Sequence, residues 1–306
     1  MGNIYELGSY GVGQHFELAY TNYYHAVEKY GHHLSEFRLG MNYLIGGLDL
    51  PKDTERAFGF IQSAALAGEP GAQYILGIMY REGEVPNRPH KAAHEIAQNK
   101  KEAFRWFRKA AAQNLPAAMT QVAFCYEQGH GVAVNHVVAN QYYERALCYA
   151  NLSSTRVAYA RFLCSQKRYK EGFEHYLQAS GLIGSDSQHP APPQVISEAK
   201  RMVAIFYLDN TKDSDIPYKP KEGFELLTDL VISDPDNGCV HYWVAASYEK
   251  GIPNVCPIDL SKSYKHYLIS AKLGYADSQL QVIHSTLKKE QVMNLFFRLD
   301  ICFLKV

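Results

Sequence analysis

The feature that most constrains this sequence is a pair of helix-like patterns that recurs along nearly its whole length. The pair is best formed in residues 101–131, which read KEAFRWFRKAAAQNLPAAMTQVAFCYEQGHG. A chain that repeats one helix pair stacks its copies side by side and needs no single central core. The 306 residues are therefore predicted to form an all-α repeat array.

The first pattern, here called the outer frame, has a small residue, a large residue four positions later and a small residue three positions after that. These offsets fall on one helical face, so each outer helix is predicted to offer a seam of small residues around one large knob. The seven copies, with a looser fit in the sixth, are Ala19–Tyr23–Ala26, Ala57–Ile61–Ala64, Ala103–Phe107–Ala110, Ala139–Tyr143–Ala146, Gly172–Tyr176–Ala179, Gly223–Leu227–Leu230 and Ser263–Tyr267–Ser270.

The second pattern, the inner frame, reads aliphatic-small-x-x-Tyr-x-x-Gly and alternates with the first. Its glycine is predicted to end the helix in a left-handed conformation, for which asparagine is the next-best residue. Leu163 with Gln166 marks a degraded copy. The other copies are Leu39–Gly40–Tyr43–Gly46, Leu76–Gly77–Tyr80–Gly83, Val122–Ala123–Tyr126–Gly129, Val203–Ala204–Tyr207–Asn210 and Val244–Ala245–Tyr248–Gly251.

The frames predict one solenoid over residues 1–290, followed by a divergent apolar tail over 291–306. Tyr5–Gly8 resembles the end of an inner helix whose first half is missing. The period is interrupted by insertions at 84–100, 184–193 and 209–220, which carry partner specificity or represent tolerated drift in surface loops. The tail folds back over the last repeat, meets a partner, or reflects an abnormal or truncated gene end.

These frames resemble the Sel-1-like repeat family, a relative of the tetratricopeptide repeat. The copies at 74–83, 101–114 and 119–132 are similar to the family consensus, and the resemblance extends over roughly residues 3–290. It implies a right-handed α/α superhelix, a solenoid of about six to seven helix pairs. Family members work as adaptors that assemble membrane-associated, signalling or protein-degradation complexes, and they share no catalytic residue.

Composition narrows the class of partner. Thirty-one basic and 31 acidic residues give a formal net charge of zero, which argues against a nucleic-acid binder and a polybasic membrane-surface role. The six cysteines form no paired motif and are interpreted as buried free thiols in a reducing compartment. The 23 tyrosines favour helix packing over a binding surface. No signal peptide or membrane span is recognised, so a cytoplasmic location is expected.

Patterns that would indicate catalysis are missing from the sequence. It contains neither GxxxxGK[ST] nor GxSxG, so no catalytic residue, cofactor or small-molecule substrate is predicted. His90 and His94 have the i,i+4 spacing of two metal ligands, with Glu95 beside them. Because the HExxH order and a third ligand are lacking, we interpret them as part of a solvated insertion helix and predict no metal site.

The sequence thus predicts a non-catalytic protein–protein interaction scaffold or adaptor. Its binding row is expected on the concave, inner-helix face, at the residue two before each inner tyrosine. The alternative for these residues is packing between neighbouring inner helices. The alternative function is a regulatory subunit or activator of an enzyme, or a fragment of a larger multidomain enzyme. The row comprises Met41, Ile78, Phe124, Arg161, Ile205 and Ala246.

Overall fold

The computed structural model describes residues 1–9, 11, 13–83, 93–150, 152–183, 191–209 and 215–283, without the side chains of 93–98. Within this part the regular structure is helical, apart from one isolated β-bridge between Ile252 and Cys256. The chain divides into two compact units, Met1–Asn151 and Leu152–Val306. The predicted all-α repeat fold is confirmed.

Successive helices pair as hairpins, with an inner helix first and an outer helix second. The first unit holds four such pairs and the second holds three, and residues 276–283 begin a further helix. In the first unit the helices are α1 Gly2–Leu7, α2 Phe16–Tyr30, α3 His33–Ile45, α4 Thr54–Leu66, α5 Pro70–Glu82, α6 Ala93–Ala112, α7 Pro116–Gln128 and α8 His136–Tyr149. In the second they are α9 Ser153–Ser165, α10 Tyr169–Ala179, α11 Pro193–Leu208, α12 Pro220–Ser233, α13 Gly238–Lys250 and α14 Leu260–Lys272.

The outer frame forms the predicted seam. All three of its positions are buried in six of the seven outer helices, and only Ala26 of α2 is partly exposed. In the first three hairpins the knob of the outer helix packs against a glycine of the inner helix before it, Gly2, Gly40 or Gly77. A Cβ added to Gly77 would lie 2.6 Å from the ring of Phe107, and one added to Gly40 would lie 2.7 Å from Ile61. The small residue is therefore what lets the two helices approach.

The inner helices end largely as predicted. Gly8, Gly46, Gly83 and Gly129 cap α1, α3, α5 and α7 in the left-handed conformation. Gly251 also has a positive φ of 71°, but its ψ of 153° turns the chain out of the helix in an extended direction instead. In the degraded copy Gln166 keeps a negative φ, and Lys167 takes the left-handed conformation at φ 63°. Asn210 lies outside the described residues.

A main-chain hydrogen bond closes five of the hairpins in the same way. The residue just before the outer helix donates its N–H to the carbonyl of the inner-frame tyrosine, which ties the hairpin shut without using a side chain. We call this bond the hairpin clasp. Its five pairs, with N···O distances, are His15–Tyr5 at 2.9 Å, Asp53–Tyr43 at 2.9 Å, Asn135–Tyr126 at 2.9 Å, Lys219–Tyr207 at 3.1 Å and Asp259–Tyr248 at 2.9 Å.

The predicted insertions and tail are described only in part. Residues 93–100 are helical and continue directly into the outer frame of α6. Ile216, from the 209–220 insertion, is 5% exposed and belongs to the core of the second unit. The rest of these calls, at 84–92, 184–190, 210–214 and 284–306, lies outside the described residues.

Candidate functional site

The predicted binding row differs in exposure from one repeat to the next. Met41, Ile78, Phe124 and Ala246 are half-buried on the inner helices. The Arg161 side chain is 60% exposed and pairs with Glu198 of the next inner helix at 2.7 Å. Ile205 is 4% exposed, so a partner cannot contact it without a movement of α11.

In the first unit the row residue Phe124 lies against a histidine in a cationic environment. The Phe124 and His130 rings meet edge to face with centroids 5.4 Å apart. Burial, with Lys100 and Arg81 nearby, lowers the pKa of His130, whose buried Nδ1 has no hydrogen-bond partner among the described residues. Arg81 also reaches from α5 to Gln121 of α7, which links two successive inner helices.

Three outer knobs are tyrosines whose hydroxyls bind a carboxylate. Each hydroxyl donates to the glutamate that directly follows the inner-frame tyrosine, over 2.6 to 2.8 Å, in the pairs Tyr23–Glu6, Tyr143–Glu127 and Tyr267–Glu249. Burial and this carboxylate raise the pKa of Tyr23 and of Tyr267. These tyrosines therefore serve helix packing, as the composition suggested.

A buried histidine pair joins α13 to α14. His241 is 4% exposed, its Nδ1 lies 3.0 Å from Nδ1 of His266, and its Nε2 lies 3.0 Å from the carbonyl of Pro235. Burial, and then His241, lowers the pKa of His266. No pattern in the sequence predicted this pair, because its two histidines lie on different helices.

One hollow on the second unit lies beside α13. It has a volume of about 450 Å³, and its walls include Trp243 and Ala246 of α13 and Tyr218 of the 209–220 insertion. Lys250 lines it as well and also lines a second hollow of about 510 Å³, formed by the loop that follows α13. Sequence reasoning located Ala246 and the insertion, whereas it missed Trp243 and Lys250.

The described residues include histidines, cysteines and acids of the kinds that a metal site or a disulfide would use. No group of three or more His, Cys, Asp or Glu side chains there is arranged to hold a metal ion. His90 and the side chains of His94 and Glu95 fall outside the described part. The five described cysteines are free, and of these Cys125 and Cys256 are buried. No helix in the described ranges is long and apolar enough to cross a membrane.

Part of the chain matches a known repeat family. The Sel1 repeat matches residues 33–69, 70–115, 116–148 and 240–275. The first three matches coincide with the hairpins α3–α4, α5–α6 and α7–α8, and the fourth covers most of α13–α14. The interval between the third and fourth matches holds the degraded inner frame and two of the three insertions.

Individual relatives are distant. A stretch of 144 residues, 46% of this chain, is 26% identical to chitin synthase regulatory factor 4 of Schizosaccharomyces pombe, and the match spans only 20% of that protein. The Sel1 repeat protein of Oxalobacter formigenes is similar in structure, with a TM-score of 0.60 at 18% identity over 92% of this chain and 73% of that one. The protective antigen c5321 of uropathogenic Escherichia coli, with an SLR fold, has a TM-score of 0.50 at 20% identity over 94% of this chain and 63% of that one.

Proposed function

We propose that this chain, which belongs to the Sel1 repeat family, is a non-catalytic protein-binding scaffold that helps to assemble a protein complex. The observation that carries the proposal is the partly exposed side chain at the same position of the inner helices within each unit, apart from Ile205, which is buried. In the first unit Met41, Ile78 and Phe124 are apolar and half-buried, which suits the apolar side chains of a protein partner. In the second unit Ala246 is half-buried, and the exposed cation of Arg161 is held in an ion pair with Glu198 that a partner carboxylate would share or replace.

Proteins or peptides are the proposed partners. The balance of 31 basic and 31 acidic residues gives no surplus of positive charge for a phosphate backbone. The free thiols of the five described cysteines support a reducing compartment, and the cytoplasm is the proposed location.

The test is affinity purification of the tagged full-length chain from its native cell, with quantitative mass spectrometry. Phe124→Ala and Arg161→Glu are expected to lower the recovery of partners, because Ala removes an apolar contact and Glu reverses the exposed cation. Leu66→Ala and Arg105→Glu are matched controls on outer helices, where both side chains are exposed. Equal recovery with folded Phe124 and Arg161 variants would contradict the inner-helix site.

Regulation of an enzyme is the second candidate function. It is favoured by the similarity to chitin synthase regulatory factor 4, although the match spans about a fifth of that protein's length. If the co-purified partner is an enzyme, adding the purified chain should change its rate. If the enzyme's rate stays the same at a saturating concentration of the chain, the regulatory function is contradicted and only the scaffold function remains.

A further inference from the structure

The two hollows beside α13 share a wall that carries one charged residue. Both are lined by the four consecutive residues Lys250–Pro253, so Lys250 borders each of them. On one side the apolar walls come from Trp243, Tyr218 and Ile252. On the other they come from Val255, Pro257 and Ile258. A segment that entered both hollows would run along this shared wall, within reach of Lys250.

The loop between the hollows is held in one shape by main-chain contacts. Ile252 and Cys256 exchange two hydrogen bonds, of 2.7 and 2.9 Å. Gly251 has φ 71° and ψ 153°, and a Cβ there would lie 2.8 Å from Ile258. The hairpin clasp from Asp259 to Tyr248 then closes the loop onto α13. A preformed loop lowers the entropy lost when a partner binds.

The ammonium group of Lys250 is available to a partner. Lys250 is exposed and makes no ion pair with any described residue. The neighbouring acid Glu249 accepts a hydrogen bond from Tyr267, and Asp209 on the wall already has an interaction within the protein. An isolated ammonium group between two apolar surfaces favours a carboxylate flanked by apolar side chains.

This combination occurs at one inner helix. Trp243 lies five residues before the inner-frame tyrosine and Lys250 lies two residues after it. At the position of Lys250 the other frames have Ile45, Glu82, Gln128, Ser165 and Asp209. The cation at this position is therefore a property of α13 and not of the repeat.

We propose that these two hollows bind an extended segment of a partner protein in which an Asp or Glu lies between apolar residues. The inference rests on the proposed scaffold function and gives it a specific site and a partner chemistry. The carboxylate pairs with Lys250, and the apolar side chains on its two sides enter the hollows. An acid inside the segment fits better than a chain terminus, because both of the hollows that Lys250 borders have apolar walls for a side chain of the segment to contact.

Selection of short random peptides displayed against the purified full-length chain tests the proposal. The enriched peptides, resynthesised with both ends blocked, are expected to share an acid between apolar residues. Calorimetry should show binding weakened about tenfold by Lys250→Glu and by Tyr218→Ala, both at exposed positions. A peptide with Lys in place of its acid should bind Lys250→Glu better than it binds the unaltered chain.

Lys265→Glu is the matched control, because Lys265 is exposed on α14 and lines neither hollow. Failure to enrich any peptide, enrichment without a shared acid, or equal loss with Lys265→Glu overturns the proposal. Peptides that lose binding with Phe124→Ala and keep it with Lys250→Glu also overturn it, while they leave the scaffold function standing.

The chain's own C-terminal segment is the competing occupant. Leu299-Asp300-Ile301 has the same apolar–acid–apolar pattern and lies outside the described residues. In the full-length chain, Asp300→Lys should leave the affinity for the selected peptides unchanged. An affinity that rises with this substitution identifies the chain's own segment as the occupant and overturns the partner proposal.

Discussion

At the scale of single residues, the contact between His241 and His266 depends on protonation. The carbonyl of Pro235 can only accept a hydrogen bond, so Nε2 of His241 must carry a proton. Neutral His241 then accepts at Nδ1, and the proton between the rings belongs to Nδ1 of His266. One proton fits between the two Nδ1 atoms, whereas a second proton there would place two N–H groups against each other.

Acid is therefore expected to destabilise the fold. Burial holds the pKa of His266 below its ordinary value of 6.5, so the unfolded chain binds protons more readily than the folded one. The stability that His266 contributes is fully present above about pH 6.5 and is lost as the pH falls below it toward the folded pKa. Urea unfolding should give a lower midpoint at about pH 5.5 than at about pH 7.5.

His266→Gln should reduce this pH dependence, and His25→Gln, at an exposed position, should leave it unchanged. Part of the dependence should remain in the His266 variant, because burial also lowers the pKa of His130. An unaltered slope in the His266 variant would show that the histidine pair does not contribute.

At the scale of the element, the helix hairpin is held by a knob packed against a small residue. The two frames predicted this contact in advance, because it repeats at fixed offsets within each helix. The hairpin clasp was not predictable, since it joins main-chain atoms and leaves no trace in residue type. The tyrosine–glutamate pairs follow a sequence rule, but the rule can be recognised only once it is known which helices pair. Where Glu follows the inner tyrosine the knob is Tyr, and beside Leu44, Arg81 and Leu208 the knobs are Ile61, Phe107 and Leu227.

A matched pair of glycine substitutions tests the knob contact. Gly77→Ala should lower the free energy of unfolding by about 1–3 kcal/mol, because its Cβ would overlap the ring of Phe107. Gly59→Ala, on the exposed face of α4 with no atom within 4 Å of its Cβ, should raise it by about 0.5–1 kcal/mol. Urea denaturation measures both values. A rise in the free energy of unfolding with both substitutions would show that helix propensity, and not packing, decides the effect.

At the scale of the whole molecule, stability is distributed over local clusters. One cluster in the first unit includes Ile61, Leu76 and Phe107. The second unit has separate clusters around Tyr176 and Leu227. The hollow beside α13 also belongs to this scale, because its walls come from two separate segments of the chain, 208–220 and 243–253. This separation is why the sequence pattern indicated a binding row and missed Trp243 and Lys250.

Because each repeat contacts mainly its neighbours, damage to one hairpin should remain local. In Gly77→Ala, amide hydrogen exchange should accelerate most in α5 and α6 and least in α13 and α14. Hydrogen exchange with mass spectrometry resolves the two regions. Equal acceleration in both would mean that the chain unfolds as one cooperative block.

The hairpin clasp has a consequence for how such a protein diversifies. Because the bond uses only main-chain atoms, it closes the nine-residue step from Tyr126 to Asn135 and also the longer step from Tyr207 to Lys219, which contains an insertion. The loop between the two residues of a hairpin clasp can therefore be changed or lengthened while the two helices keep their register. The segment between Tyr207 and Lys219 is a graft site for a new specificity, provided that the buried side chain of Ile216 is retained.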